Sequence, residues 1–483
     1  MAKIPRSLEK LIEFANLEVN KIQAMSAEDR SKWTRAQPLL PPSIPVGDGR
    51  VVYTTKEGLA ALHEYGHRWR DNDDERKRLL GAKKAEELAV RAYGRLIVDP
   101  NSDQLKTTRE IKKALNASLE KEFLSIQIDL THYLPCQIFN RANLPSFDVG
   151  PVQFVPRDSV LDIMQKHSGE ELAWTDAVRN SWSGGPKLER PKPQDFSPEG
   201  PDLSDRWIAC DIEETFAQCR WAAVIEIPGR EFTHSRSHAE AAVRIALDTL
   251  GLVLSPGFAQ QIRHVADDIG PRMTYKFAQA KGNSPRHGSY LDMPMLQWPS
   301  DGDEWLLKET TDLRQWAGFA IQTLIEAKPT SKIPGLHQRW LDAMYWFGES
   351  RREPVEFIGL VKAGICLDVL AKGGAAKGIE ALCQALFNLA PTDSVLNDGT
   401  SLKKLVETIY NEGRSQIGHG GRPSLLKDLP ISRDTAVLFA KEAMARYIKG
   451  LHHYSGPDVY EDFLKALPQL LLPQPAQTQA PVT

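Results

Sequence analysis

The chain has 483 residues, of which 41% are hydrophobic and 25% are charged, values that are ordinary for a globular protein. Its 60 Lys and Arg residues against 63 Asp and Glu residues give a net charge of −3, which excludes a strongly basic nucleic-acid-binding chain and leaves room only for a local basic patch. The chain has no run of about 18 apolar residues and begins without the apolar core of a signal peptide, so we expect a cytoplasmic protein with no membrane partner.

The cysteines are odd in number, are scattered along the chain and form no CxxC pair. This pattern argues against a disulfide framework and against a four-cysteine zinc site. It is typical of a protein kept in a reducing compartment. The five residues are Cys136, Cys210, Cys219, Cys366 and Cys383.

Residues 1–145 predict a helical region. Apolar residues recur at steps of three and four from Leu8 to Val19, which predicts an amphipathic helix over residues 6–35. The patterns that follow are a proline-rich segment that excludes helix, a short strand candidate and two charged helical stretches, at residues 37–49, 51–53, 56–95 and 103–134.

Residues 146–302 predict a mixed α/β region. The run from Trp221 to Ile227 predicts a buried strand that Pro228 and Gly229 end. A helix over residues 236–254 follows, with Ser235 or Ser237 as its expected N-cap. The remaining patterns are a strand, a helix and two loops, at residues 149–155, 158–179, 181–204 and 281–302.

From residue 303 onward the pattern is helical. We assign residues 303–466 to a helical bundle and residues 467–483, which lack a periodic apolar face, to a disordered tail. The predicted helices cover residues 303–327, 335–349, 353–371, 374–389, 399–417 and 432–450.

A candidate catalytic pair lies near the end of one of these helices. Arg414 can bind a phosphate in bidentate fashion, and His419 can act as general acid or base near neutral pH. On an ideal helix the two side chains lie about 140° apart. They can therefore act together only if the helix distorts near Gly418 or if a second chain completes the site.

The segment Glu407–Gly421, which reads ETIYNEGRSQIGHGG, resembles the Arg-x4–6-His motif of HEPN domains, and most closely the Apea-like branch. The resemblance covers residues 335–453. It implies a small helical bundle that acts as a dimer, in which two motifs face each other. Many HEPN domains are metal-independent endoribonucleases with no cofactor, and some serve as toxins or in antiviral (anti-phage) defence.

The resemblance implies a role for four residues. Arg414 and His419 occupy the motif as catalytic residues, Ser415 stands at a supporting position that is often polar, and Asp368 falls where an acidic residue often lies near the motif. RNA is the implied partner, together with a second copy of the chain and a trigger or inhibitor that acts on the first 330 residues. Residues 413–449 carry seven Lys and Arg and three Asp and Glu, a local charge of +4, which favours contact with RNA.

A second motif, His63-Glu64-Tyr65-Gly66-His67, fits the HExxH pattern of zinc peptidases. Two histidines four residues apart on a helix can reach one zinc ion, and Glu64 could activate a bound water. Glu86 and Glu87 stand at a plausible spacing for a third ligand. The charged run that follows His67 is typical of a solvated helix face.

The sequence therefore predicts an α-rich multidomain protein with a mixed α/β central region and a C-terminal HEPN-like all-α bundle. The favoured function is a metal-independent endoribonuclease, a hydrolase of the nuclease class, that cleaves RNA by attack of the 2′-hydroxyl. Two alternatives stay open. One is a zinc metallopeptidase centred on His63 and His67, and the other is a non-catalytic HEPN module for RNA binding or assembly.

Overall fold

The chain forms two compact units in the computed structural model. The N-terminal unit comprises Met1–Leu130 and Ile227–His238, and the C-terminal unit comprises Thr131–Glu226 and Ala239–Thr483. The sequence analysis placed boundaries at residues 145 and 302 instead, because periodicity does not show which distant segments pack together. The structure describes residues 7–37, 41–47, 50–99, 107–141, 144–169, 171–192, 204–217, 219–259, 261–264, 272–278, 286–292, 301–415 and 431–472.

Helices dominate the N-terminal unit. All of them except the helix Ala82–Val98 begin at residues whose hydroxyl or carboxylate groups accept a backbone N–H of the first turn, such as Ser7, Thr55 and Asp73, an arrangement that stabilises helix starts. The elements are α1 Leu8–Gln23, α2 Ala27–Arg35, β1 Ser43–Gly47, β2 Arg50–Tyr53, α3 Lys56–Asp71, α4 Asp74–Leu79, α5 Ala82–Val98 and α6 Thr108–Ser125.

Two predictions for this region were wrong. The single helix expected over residues 6–35 is two helices, because Ser26 accepts the N–H of Asp29 and starts α2 anew. The helix expected to continue to residue 134 ends at Ser125, and the strand β3 Ile128–Gln137 follows. The first 145 residues are therefore not wholly helical.

The central segment combines a five-stranded sheet, of order β4-β5-β6-β3-β7, with short helices. The pairs β4-β5, β5-β6 and β3-β7 are antiparallel, and β8 and β9 form a separate antiparallel pair. The elements are β4 Phe147–Val149, β5 Val152–Pro156, α7 Arg157–Ser168, α8 Thr175–Trp182, α9 Ser204–Phe216, β6 Trp221–Arg230, α10 Phe232–Gly251, α11 Pro256–Ala259, β7 Arg263–His264, β8 Arg272–Ala278 and β9 Arg286–Asp292.

The predicted buried strand at Trp221 is confirmed but is longer than expected. It continues through Gly229, which takes a positive φ of 57°. Both expected N-caps of the next helix were wrong, since the helix begins at Phe232 and Ser235 and Ser237 lie inside it. The Glu231 carboxylate accepts the N–H groups of Thr233 and His234, whereas the Ser237 hydroxyl donates to a carbonyl inside the helix.

The last third of the C-terminal unit is helical throughout its described part, as predicted. Trp340, Phe347, Leu367 and Tyr447 lie fully buried in its core. The elements are α12 Gly302–Glu309, α13 Thr311–Ile325, α14 Pro334–Arg352, α15 Glu356–Leu370, α16 Ala375–Phe387, α17 Leu402–Glu407, a π-helix over Thr408–Ser415, α18 Arg433–His453 and α19 Tyr460–Leu470. The tail was predicted to begin at residue 467, but α19 extends to Leu470 and buries Leu467.

A buried ion cluster joins α10 to α14. The Asp248 carboxylate is 1% exposed, and its Oδ1 accepts from Nε of Arg351 at 3.1 Å and from Nη1 of Arg352 at 2.7 Å. Burial lowers the pKa of Arg351, and the charge of Asp248 acts in the opposite direction. The cluster therefore depends on Asp248 to balance a guanidinium that has little access to water.

Replacing Asp248 by Asn should destabilise the protein by about 3–5 kcal/mol, because Arg351 then stays buried without a counter-charge. Urea unfolding monitored by circular dichroism measures this loss in the free energy of unfolding. The control is Glu461→Gln, which removes an exposed ion pair with Lys372 and should leave the unfolding midpoint close to that of the wild type. Equal midpoints for the two variants would contradict the interpretation.

Candidate functional site

The helix that carries Arg414 changes its winding before it reaches that residue. The sequence predicts one helix over residues 399–417, whereas α17 ends at Glu407 and a π-helix covers Thr408–Ser415. Single π-helical turns inside α-helices occur frequently at functional sites. The distortion thus lies well before Gly418, where the sequence analysis expected it.

Two glycines let the π-helix approach α15 closely. A Cβ atom on Gly364 would lie 3.0 Å from Cβ of Arg414, and one on Gly413 would lie 2.9 Å from Cγ of Leu360. Real Cβ atoms are hardly ever found at such distances. The sequence therefore brings the backbone of Arg414 against α15 by leaving out side chains at both points of contact.

Two side chains hold the guanidinium of Arg414. Its Nη1 donates to the Tyr410 hydroxyl at 2.7 Å, and its Nη2 lies 3.0 Å from Oδ2 of Asp368. The guanidinium carbon also lies 5.1 Å from the centroid of the Tyr410 ring. The Arg414 side chain stays 34% exposed, so it is fixed in orientation and still accessible from solvent.

Asp368 is the buried end of this arrangement. Its second carboxylate oxygen, Oδ1, accepts the N–H of Ala375 at 3.1 Å, at the start of α16. Lys372, Gly373 and Ala375 all have positive φ values in this turn, a conformation that costs energy for residues other than glycine. Asp368 therefore stabilises a strained turn and orients Arg414 with the same carboxylate.

The structure brings together Arg414 and Asp368 among the four residues predicted for the site. Ser415 is the last residue of the π-helix and is half-buried. His419 lies outside the described residues. Sequence reasoning missed Tyr410, although its position four residues before Arg414, one helical turn away, was an available signal.

The HEYGH motif lies on α3 in the N-terminal unit, and its histidines meet Glu86 of α5. Oε1 of Glu86 is 2.5 Å from Nε2 of His67, and Oε2 is 3.6 Å from Nδ1 of His63. Glu86 is thus near both histidines, as the expectation of a third ligand required.

Other features of the same surface do not suit a peptidase. Glu64, the expected general base, accepts from Nε of Arg68 at 2.6 Å. No group of three His, Cys, Asp or Glu side chains in the described part of the chain is arranged to hold a metal ion. The contact between His67 and Glu86 instead joins α3 to α5 beside Gly66, where a Cβ would lie 2.4 Å from the Ala85 carbonyl oxygen.

The cysteines are not candidates for nucleophilic catalysis. All five are buried, and none of them forms a disulfide. Burial raises the pKa of Cys219 to about 12 and also raises the pKa of the Cys366 thiol. Since the thiolate is the reactive form, these thiols are inert near neutral pH.

Comparisons of the chain with protein families, with curated proteins and with solved structures return no match. In the part of the chain that the structure describes, no helix has both the length and the apolar character needed to cross a lipid bilayer.

Two substitutions of Asp368 separate its contact with the Ala375 N–H from its contact with Arg414. Asp368→Asn keeps an acceptor for the Ala375 N–H but loses the charge that faces Arg414, so we expect a loss of about 1 kcal/mol. Asp368→Ala removes both contacts and should cost about 2–4 kcal/mol, because the N–H of Ala375 and the guanidinium of Arg414 both lose their partner.

Urea unfolding midpoints of the two variants measure these losses. Ala375→Gly is the control, since it relieves the positive φ and should not destabilise the protein. A wild-type midpoint for Asp368→Ala would show that the carboxylate does not support the turn.

Proposed function

We propose that the chain is a metal-independent endoribonuclease of the HEPN type, in which Arg414 binds the scissile phosphate and His419 transfers protons. The observation that carries the proposal is the fixed, partly exposed guanidinium of Arg414 on the π-helix. The resemblance of the segment Glu407–Gly421 to the HEPN motif gives His419 as the expected catalytic partner of Arg414. A role as a toxin or in anti-phage defence is part of the same proposal.

The donors of Arg414 suit this task. Arginine has five N–H donors in a planar fork. One N–H of Nη1 donates to the Tyr410 hydroxyl, and one N–H of Nη2 faces the Asp368 carboxylate. The remaining three N–H groups have no partner among the residues that the structure describes. A phosphate at this position would therefore meet a guanidinium whose orientation is already set, which lowers the cost of binding.

In the proposed reaction the ribose 2′-hydroxyl attacks the adjacent phosphorus. His419 takes the proton of that hydroxyl or gives one to the leaving 5′-oxygen, and Arg414 stabilises the charge that builds on the phosphate oxygens. The products carry 2′,3′-cyclic phosphate and 5′-hydroxyl ends. The net charge of +4 over residues 413–449 would attract the RNA backbone.

The two alternatives differ in support. A non-catalytic HEPN module would use the same arginine to bind RNA, so only a cleavage assay separates it from the enzyme. The zinc peptidase is favoured by the approach of Glu86 to His63 and His67, but Glu64 is engaged by Arg68.

The enzyme should cleave RNA, leave DNA intact and be insensitive to EDTA. His419→Ala should reduce the rate at least about 100-fold, the usual size of a general acid–base contribution. Arg414→Ala should cost about 2–4 kcal/mol of transition-state stabilisation. Arg414→Lys should restore only part of the rate, because an ammonium lacks the planar fork.

Gel analysis of defined RNAs, with end-group mapping and a 2′-deoxy substitution at the cleaved site, measures these effects. The matched controls are Arg179→Ala on α8 and His167→Ala on α7, which lie outside the motif and outside residues 413–449 and should keep wild-type rates. Binding of RNA without cleavage would favour the non-catalytic module. Cleavage that EDTA abolishes, or that leaves 3′-hydroxyl ends, would refute the proposed chemistry.

The proposed site is completed by a second copy of the chain. If each site takes Arg414 from one copy and His419 from the other, a heterodimer of the Arg414→Ala and His419→Ala chains keeps one intact site. An equal mixture, unfolded and refolded together, should then recover about a quarter of the wild-type rate. Light scattering should find a dimer at micromolar concentration. No recovery of activity, or full activity of a monomer, would contradict this arrangement.

A further inference from the structure

The C-terminal unit contains a cavity of about 510 Å³ that the proposed ribonuclease does not use. It lies between α13, the loop that precedes α14 and the end of α18. This volume is in the range of roughly 300–1,000 Å³ that small-molecule sites occupy. The lining residues with a chemical role are Trp316, Phe319, Thr323, Lys332, His337 and His452.

Aromatic rings form one wall of the cavity. The His452 ring lies 5.7 Å from that of Trp316 and 5.9 Å from that of Phe319, with interplanar angles of 33° and 32°. Phe319 is 54% exposed although it is large and apolar. Burial and the neighbouring His453 lower the pKa of His452, so its ring is neutral near pH 7. The wall therefore suits a planar aromatic ring.

His337 offers a hydrogen-bond acceptor inside the cavity. The Thr323 hydroxyl donates to the Phe319 carbonyl at 3.1 Å and lies 3.1 Å from Nδ1 of His337. The single proton of the Thr323 hydroxyl already goes to the Phe319 carbonyl, so in its contact with His337 the hydroxyl oxygen accepts and Nδ1–H donates. In the neutral ring, Nε2 then carries no proton and is a hydrogen-bond acceptor. His337 is 6% exposed, and its Nε2 has no partner among the residues described.

Among the described residues that line the cavity, Lys332 is the only Lys or Arg. It is exposed and makes no ion pair within the described part of the chain, and no carboxylate lines the cavity. Two carboxylates nearby are occupied: Glu326 accepts from Gln322 and Thr330, and Asp458 accepts the N–H groups of Gly335 and Leu336. A single cation next to two such carboxylates suits a monoanion better than a phosphate dianion.

We propose that this cavity binds an aromatic carboxylate whose ring carries an N–H or O–H donor. The ring stacks against Trp316 and His452, the donor meets Nε2 of His337, and the carboxylate meets Nζ of Lys332. This binding does not depend on Arg414 or on RNA.

Calorimetric titration of the full chain with indole-3-acetate and with 4-hydroxybenzoate tests the ligand chemistry. At least one should bind with a Kd below about 100 μM, about −5.5 kcal/mol. Indole lacks the carboxylate, 1-methylindole-3-acetate and benzoate lack the donor, and each should bind about tenfold more weakly than its parent. No binding below 1 mM, or tighter binding of adenosine monophosphate, would overturn the proposal.

Substitutions of the lining residues test which side chains bind the ligand. Phe319→Ala should weaken binding of the parent ligand at least about fivefold, and Lys332→Ala should remove the preference for indole-3-acetate over indole. The controls are Phe232→Ala, which is exposed in the N-terminal unit, and the exposed Lys377→Ala. Unchanged affinity in both Phe319→Ala and Lys332→Ala would place the ligand elsewhere and refute the site.

Discussion

The C-terminal unit depends on one buried carboxylate. Asp248 of α10 holds Arg351 and Arg352 at the end of α14, and this helix pairs with α15 along its length. Gly348 lets Asp248 approach, since a Cβ there would lie 1.9 Å from a carboxylate oxygen. Because α15 carries Asp368 and α14 carries His337, the cluster fixes the helices that support both the Arg414 site and the cavity. A buried charge pair is a weak source of net stability, but removing one partner is costly because the other charge stays buried.

The position of Arg414 depends on α15, one of the helices that the Asp248 cluster holds in place. Gly364 on α15 and Gly413 on the π-helix remove side chains where the two helices meet, so Asp368 can reach the guanidinium. The π-helix adds one residue to the turn. Ideal α-helix geometry, from which Arg414 and His419 would lie about 140° apart, therefore does not apply to Thr408–Ser415.

Local sequence patterns predicted most helices and strands, whereas tertiary contacts decided where some of them end and which side chains meet. The helical last third followed from apolar periodicity and the strand at Trp221 from a continuous apolar run, and both signals depend only on neighbours in sequence. The proximity of Asp368 to Arg414 came from a resemblance and not from spacing. The break at Ser26 and the strand at Ile128 were missed because a cap and strand pairing each override a helical pattern. The cavity could not be found at all, since Trp316, His337 and His452 meet only through packing of α13, α14 and α18.

The pairing of Arg414 with Asp368 bears on the proposed catalysis in one further way. A guanidinium whose charge is partly balanced by a carboxylate binds a phosphate diester in its ground state less strongly than a free one would. The transition state of 2′-hydroxyl attack carries more negative charge on the phosphate oxygens, and the oriented N–H donors of Arg414 gain most there. Interactions that strengthen on the way to the transition state raise the turnover rate, whereas uniform binding does not. In the proposed enzyme, Asp368 thus lowers affinity for uncleaved RNA while it keeps Arg414 in the orientation that the reaction needs.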